Sequence, residues 1–179
     1  MKKLLVVLGL LFLVTGCDTL MNSPTNEVEN FLSKYQKQDS SVINQLDDVI
    51  DKDETLNDTQ KKDYRDLMKK QYQNLTYKIK EETIDGDNAT VEVEIEVYDY
   101  YKAMDNADKY LVSNNQDFLD QEGNVDNSKF MDYKITKMKD VKDKVTYTLN
   151  LTLTKDDDEW ELDDITDVDR QKIHGIYNY

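Results

Sequence analysis

Three kinds of side chain in this sequence could carry chemistry: one thiol, one imidazole, and carboxylates that could work with phenols. The thiol belongs to Cys17, the only cysteine, and the imidazole belongs to His174, the only histidine. A catalytic carboxylate would need an apolar pocket that raises its pKa and a nearby phenol donor, which one of the 12 tyrosines could supply. Which of these chemistries is available depends on the elements that position the groups.

Cys17 lies directly behind an apolar run, and its surroundings indicate processing and export. Residues 1–3 form a short basic start, and residues 4–14 are apolar or glycine. Such a run fits the roughly 7–15 apolar residues of a secretory signal peptide, and it is too short for a membrane-spanning helix of about 20 residues. The following Leu13-Val14-Thr15-Gly16-Cys17 resembles the lipobox of bacterial lipoproteins, in which the cysteine is acylated and becomes the new N-terminus.

The lipobox resemblance implies a location as well as a covalent change. We predict a signal peptide over residues 1–16, a lipidated Cys17 with a short tether over 17–23, and a single α+β domain over 24–179. Diacylglycerol on Cys17 would anchor the protein at the extracytoplasmic face of the cell membrane, because two acyl chains bind a bilayer stably. The alternative is a buried free cysteine behind an uncleaved signal. The sequence is rich in Asn, Lys, Ile and Tyr, whose codons contain mostly A and T. This composition favours a low-GC Gram-positive bacterium as the source.

The net charge of −15 limits the partners of the protein. Nucleic acids and anionic lipid headgroups are bound by basic patches, which this composition opposes. We therefore expect no nucleic-acid partner, and the lipid on Cys17 would supply the membrane attachment.

Helical periodicity fills the first part of the chain. Ser23 and Pro24 are typical of an N-cap and a first helical residue, and apolar residues follow at i, i+3, i+4 and i+7: Val28, Phe31, Leu32 and Tyr35. A second helix is predicted to begin near residues 39–40 and a third to cover about 59–73. An acidic loop over 51–58 would separate them.

The apolar period then changes to 2, which predicts strands. A strand over residues 75–85 ends at Asp85-Gly86, which predicts a hairpin with a type I′ turn and a return strand over 91–97. Further strands are predicted at 132–139, at 145–154 and at Trp160–Leu162. Residues 100–128 are predicted to form a helix and a polar loop, which serve either as a lid or as ordinary structure.

The order of these elements resembles a known superfamily. Two stretches add to the resemblance: the spacing from Ser23 to Tyr35, and Trp160-Glu161-Leu162-Asp163-Asp164-Ile165. The order of elements and these stretches resemble those of small bacterial lipoproteins of the nuclear transport factor 2-like (cystatin-like) superfamily. The resemblance implies an α+β fold, in which N-terminal helices pack on a curved, cone-shaped antiparallel sheet with a pocket at its open end. The pocket candidates are the aromatic residues Tyr77, Tyr101, Tyr147 and Trp160. Members of the superfamily include enzymes, transport factors and lipoproteins, so the fold does not give the function.

The sequence offers no strong catalytic or metal site. Glu81 and Asp99 are the nearest acids on the core-facing parity of the strands, and both are predicted near strand ends, where acids are usually solvated. The acidic residues 51–54 do not begin an EF-hand, because Leu56 and Lys62 stand where glycine and glutamate are needed. Weak calcium binding there or at 156–159 is left open. His174 has no second histidine or cysteine with which to share a metal, and together with Gly175 it is predicted to mark a helix end or a turn. We predict no metal and no cofactor.

These observations favour a non-enzymatic, membrane-anchored lipoprotein that binds a small ligand or an envelope protein. Glu92, Glu94 and Glu96 beside a ladder of threonines would make the outward face of the sheet polar, which predicts a monomer. Two alternatives stay open. One is a small extracytoplasmic enzyme with a carboxylate and tyrosine site in the cone pocket, and the other is a structural accessory protein of the envelope.

Overall fold

The computed structural model describes residues 22–179, so the predicted signal peptide and the predicted lipidation of Cys17 lie outside the described residues. The described part contains six α-helices and a curved four-stranded antiparallel sheet. The helices with the most extensive contacts to the sheet lie on one of its faces, where they bury the apolar side chains of the strands. The predicted α+β fold class is confirmed.

Three helices precede the sheet, and each begins at a side-chain cap that the sequence displays. They are α1 (Pro24–Gln36), α2 (Ser40–Lys52) and α3 (Asp58–Asn74). Ser23 caps α1 by accepting a hydrogen bond from the backbone N–H of Asn26, and Asp39 caps α2 in the same way. At α3, Asn57 and Gln60 form a reciprocal capping box. The predicted loop is therefore shorter than expected, since α2 continues to Lys52.

The sheet has the order β1-β2-β3-β4 and is built from two hairpins joined by an antiparallel pair. Its strands are β1 (Thr76–Asp85), β2 (Asn88–Tyr98), β3 (Lys144–Asp156) and β4 (Glu159–Leu162). Alternate residues face the helices, and those of β2 and β3 are buried: Val91, Val93, Ile95, Val97, Tyr147, Leu149, Leu151 and Leu153. The threonines and Asn150 of β3 face outward and are exposed, as their alternation predicts.

A β-bulge in β1 changes which residues face the core. The pairing with β2 shifts between Ile79 and Glu81, so that Glu81 lies opposite Glu92 on the outward face. The prediction that Glu81 shares the core-facing parity is therefore wrong. The extra residue inverts the alternation, and Glu82 takes the core-facing register opposite Val91.

The connection between the two hairpins is a pair of helices. It contains α4 (Tyr100–Ser113), a short 3₁₀ helix (Asn115–Phe118) and α5 (Asn127–Lys139), with a small core of Ala107, Phe118 and Phe130. The predicted strand over 132–139 is therefore wrong. Apolar residues at 131, 133 and 135 imitate a strand. However, Met131, Ile135 and Met138 follow the helical i, i+4, i+7 spacing, and Asp126 caps the helix.

The last helix, α6 (Asp167–His174), ends as predicted at Gly175, which adopts a left-handed φ of 70°. Its apolar face carries the fully buried Ile173, and the helix packs on α3 and β2. Residues 163–166 connect β4 to α6.

The two hairpin turns are of different types. In the turn between β1 and β2, Gly86 has φ 61° and Asp87 is not among the residues with positive φ, so the predicted type I′ turn is wrong, although the hairpin is correct. The turn between β3 and β4 has positive φ at both central residues, Asp157 (44°) and Asp158 (70°), as type I′ requires.

The positive φ angles of the turn between β3 and β4 lead to a prediction about stability. Replacing Asp157 by Asn and Asp158 by Gly should raise the free energy of unfolding by about 0.5–1 kcal/mol, because Asn-Gly is the preferred pair of a type I′ turn. Urea unfolding followed by circular dichroism measures the change. Asp87→Gly is the matched control: Asp87 has no positive φ to relieve, so the substitution should bring no gain. A gain of equal size there would contradict the turn assignment.

Candidate binding groove

The concave face of the sheet is covered by packed side chains. Five of them are no more than 2% exposed and come from α1, α3, α4 and α6: Leu32, Met68, Tyr72, Tyr100 and Ile173. The phenol of Tyr100 reaches the carbonyl oxygen of Leu67 at 3.4 Å, so the polar atom of this ring also has a partner. These positions form core, which leaves binding to the surface grooves.

Two of the four predicted pocket residues lie under the segment 175–179. The phenol of Tyr147 donates to the carbonyl oxygen of Tyr177 at 3.3 Å. The ring centroids of Tyr101 and Tyr179 lie 5.7 Å apart. Both tyrosines therefore contact the chain's own final residues, which occupy the place where the pocket was expected.

The other two predicted pocket residues lie elsewhere. Tyr77 shares a row of the sheet with Tyr147, with Ile95 between them, and is half-buried. Trp160 lies on β4, is 8% exposed, and lines a different cavity. The four aromatic residues thus do not converge on one site, and a ligand role for each stays a prediction.

Asp99, the second candidate acid, is buried and fully engaged. It is 6% exposed, contrary to the expectation of a solvated strand-end acid. One carboxylate oxygen accepts from the backbone N–H of Lys102 at 3.0 Å, which caps α4, and the other accepts from the phenol of Tyr179 at 2.8 Å. That hydrogen bond raises the pKa of the Tyr179 phenol. The geometry therefore gives Asp99 a structural role at the start of α4.

A surface groove of about 790 Å³ runs along the free edge of β4. Strand β4 forms one wall, and α1, α2 and α6 form the other. Its apolar residues are Phe31, Tyr35, Trp160, Leu162 and Ile165. Its volume lies in the range of roughly 300–1,000 Å³ that is usual for ligand sites.

The charges of the groove are divided between its two walls. The helical wall carries the cations Lys34 and Arg170 together with Glu27, and the strand wall carries only acids: Glu159, Glu161, Asp163 and Asp164. A ligand that satisfies both walls must therefore offer an anionic group to the helices and cationic groups to the strand.

Arg170 is the group that marks this groove. It is half-buried, it is one of two arginines in the sequence, and it also lines a second groove of about 640 Å³ next to His174. Within residues 22–179 its guanidinium makes no ion pair and no side-chain hydrogen bond, whereas Arg65 pairs with both Asp47 and Asp51. Sequence reasoning missed Arg170, although the rarity of arginine in so acidic a chain was a usable signal.

His174 lies beside Arg170 and forms a hydrogen bond with Tyr72. The Tyr72 phenol oxygen and His174 Nε2 are 2.9 Å apart. Burial, followed by the positive charge of Arg170, lowers the pKa of His174 to about 4. The neutral imidazole is therefore part of the folded structure at neutral pH.

This pKa gives a pH-dependent stability. An unfolded histidine has a pKa of about 6.5, so between pH 6.5 and 4 the unfolded chain binds a proton that the folded chain does not. The stabilisation by neutral His174 is complete above pH 6.5 and is lost as the pH falls towards 4. Unfolding free energies of the wild type and of His174→Gln at pH 7.5 and 5.0 measure it. The wild type should lose about 2 kcal/mol more than the variant, and equal losses would contradict the assignment.

Comparison with known proteins does not assign this chain to a family. The chain matches no protein-family model, no curated protein and no solved structure. Among residues 22–179, no helix is both long and apolar enough to cross a bilayer, and no group of three or more His, Cys, Asp or Glu side chains is arranged to hold a metal ion.

Proposed function

We propose that this protein is a lipid-anchored, extracytoplasmic binding module without enzymatic activity, which holds an anionic group of its ligand at Arg170. The anchor rests on the lipobox-like residues before Cys17. Membership in the nuclear transport factor 2-like superfamily is part of the proposal, and the helices packed on one face of a curved sheet support it. The observation that carries the binding role is that Arg170, a half-buried residue in the groove, has no anionic partner for its guanidinium in the described chain.

The guanidinium of Arg170 can bind an anion from the groove. A carboxylate or phosphate there would form charge-assisted hydrogen bonds with it. Arginine presents several N–H donors in a planar fork that suits these anions. In a chain with 38 acidic and 23 basic residues, an arginine that none of the described acids pairs with is available to a ligand.

The neighbouring side chains suit the rest of the ligand. The half-buried Phe31 and the edges of the buried Tyr35 and Trp160 line the groove, and the exposed Lys34 adds a second cation at the same wall. Aromatic side chains bury a large area at a small cost in conformational entropy, which makes them effective binding residues. The groove therefore combines an anion site with an apolar surface.

In-cell photocrosslinking tests the binding role. A photoreactive amino acid at Gln45, which is exposed and lines the groove, should give a reproducible adduct on intact cells. The same amino acid at Asn150, exposed on the outward face of the sheet, is the matched control and should give none. Arg170→Gln should abolish the Gln45 adduct and Arg170→Lys should retain part of it. Equal adducts at both positions, or none at Gln45, would reject the groove as the binding site.

The anchor has its own test. Mass spectrometry of the protein from its host membrane should show a chain that begins at Cys17 and carries diacylglycerol, and Cys17→Ser should leave the membrane fraction. A chain that stays in the membrane without Cys17 would reject lipid anchoring.

A further inference from the structure

We propose that the occupant of the groove is an extended segment of a second protein, which adds to the edge of β4 as a fifth strand. Its apolar side chains would alternate with basic ones, and a carboxylate of the same segment would reach Arg170. This inference rests on the proposed function, because it names the ligand class of the same groove.

The backbone of β4 has hydrogen-bonding groups that the sheet does not use. The N–H of Asp163 donates to the Thr152 carbonyl oxygen at 3.0 Å, which makes residues 159, 161 and 163 the ones that bond to β3. Trp160 and Leu162 therefore direct their backbone groups away from the sheet, as the Trp160 N–H shows by donating to the side chain of Asn22 at 3.3 Å. Within residues 22–179, the Leu162 N–H and the carbonyl oxygens of Trp160 and Leu162 have no hydrogen-bond partner.

These free groups lie along the groove, so an extended backbone can bond to them. Strand addition to a sheet edge is a general mode of peptide binding, in which main-chain bonds supply affinity and alternate side chains supply specificity. Helix α1 packs against β4, so one face of the added strand would rest on α1.

The side chains of β4 alternate between an apolar face and an acidic face. Trp160 is buried and Leu162 half-buried on the face towards α1, whereas Glu159 and Glu161 are exposed on the opposite face. Side chains of an added strand follow the same alternation, so those beside Trp160 and Leu162 would be apolar. Those beside Glu159 and Glu161 would be Lys or Arg, because opposite charges on neighbouring strands stabilise the pairing.

The division of charge between the two walls also favours a polypeptide. A segment with basic residues for the strand wall and one carboxylate for Arg170 carries both signs of charge, an apolar face and a row of backbone donors and acceptors. A polypeptide combines all four properties.

Two other occupants fit less well. A second copy at the same height above the membrane would place its β1 edge against β4 and set Asp85 opposite Glu161, since these residues share one row of the sheet through Asn88 and Thr154. Like charges directly opposite repel. The chain's own residues 17–21, Cys-Asp-Thr-Leu-Met, contain no basic residue for the strand wall.

The test uses a synthetic probe and the only tryptophan of the protein. The probe is the blocked heptapeptide Lys-Val-Lys-Val-Lys-Val-Glu, and the control is Val-Val-Val-Lys-Lys-Lys-Glu, which has the same composition without alternation. The protein is the proposed mature chain from residue 17 with Cys17→Ser. Because Trp160 lines the groove, its fluorescence should change saturably with the alternating peptide. The control peptide should bind at least about tenfold more weakly.

Charge reversal sharpens the test. Glu159→Lys with Glu161→Lys should weaken binding of the alternating peptide by about tenfold or more, and should favour a peptide with Glu in place of Lys. Glu81→Lys with Glu92→Lys makes the same change in net charge on the same face, two or more strands away, and should leave the affinity within about twofold.

Four results would overturn the inference. Equal binding of both peptides would show that the peptides are held only by non-specific electrostatic attraction. A Trp160 signal that depends on protein concentration without peptide would identify a second copy as occupant. Peptide binding only after removal of residues 17–21 would identify the chain's own segment. A Gln45 adduct on cells together with no peptide binding would agree with the proposed function and would reject only the addition of a fifth strand.

Discussion

Replacing Gly175 by alanine should lower the free energy of unfolding by about 4 kcal/mol, through backbone strain and a steric clash. Gly175 has φ 70°, which disfavours any side chain. A Cβ atom at this position would also collide with the carbonyl oxygen of Tyr98 and with Nε2 of Gln71. The end of α6 would have to move away from β2, and α6 carries Arg170. The variant should therefore lose the binding groove as well as stability.

Urea unfolding and the Trp160 fluorescence measure both effects of the substitution. Gly123→Ala is the matched control, because Gly123 also has a positive φ (86°) but a Cβ atom there would meet no other atom within 4 Å. It should cost only about 1 kcal/mol, which is the cost of the backbone conformation alone. If Gly175→Ala cost no more than Gly123→Ala, the close approach of α6 to β2 would be refuted.

Replacing Gln71 by leucine should cost about 3–5 kcal/mol, because it leaves three partly buried backbone groups without partners. The Gln71 side chain is fully buried. Its amide nitrogen donates to the carbonyl oxygens of Tyr98 and His174, both at 2.9 Å, and its oxygen accepts from the Tyr98 N–H at 2.8 Å. One amide thus joins α3, the end of β2 and the end of α6.

The control for Gln71 lies two residues away on the same helix. Gln73 is exposed, so Gln73→Leu should change the free energy of unfolding by no more than about 0.5 kcal/mol. Chemical unfolding of the three proteins at pH 7.5, where His174 is neutral, separates the two sites. A Gln71→Leu variant as stable as Gln73→Leu would show that the three backbone groups find other partners.

Much of the fold could be predicted from the sequence, because local rules act over a few residues. Ser23 and Asp39 begin helices as caps, the alternation from Val91 to Val97 marks a buried strand face, and Gly175 ends a helix. Each of these depends on neighbouring residues alone.

The errors lie where two local patterns compete or where a strand is irregular. Residues 132–139 alternate like a strand, but packing of α5 on α4 and α3 decides for a helix. The bulge near Lys80 moves Glu81 to the outward face, and no spacing in the sequence marks that extra residue. Register depends on the partner strand, so it is settled only when the sheet forms.

The sequence alone accounts for the order of helices and strands, the caps, the polar outward face and the predicted lipid anchor at Cys17. The groove has another origin. Lys34, Gln45, Trp160 and Arg170 come from four different elements. Local patterns describe which face of each element is apolar, but the position of Arg170 depends on the long-range contacts that hold α6, including the buried amide of Gln71 and the missing side chain of Gly175. Residues separated by more than a hundred positions meet only because the sheet and helices pack around one core, and the groove is a consequence of that packing.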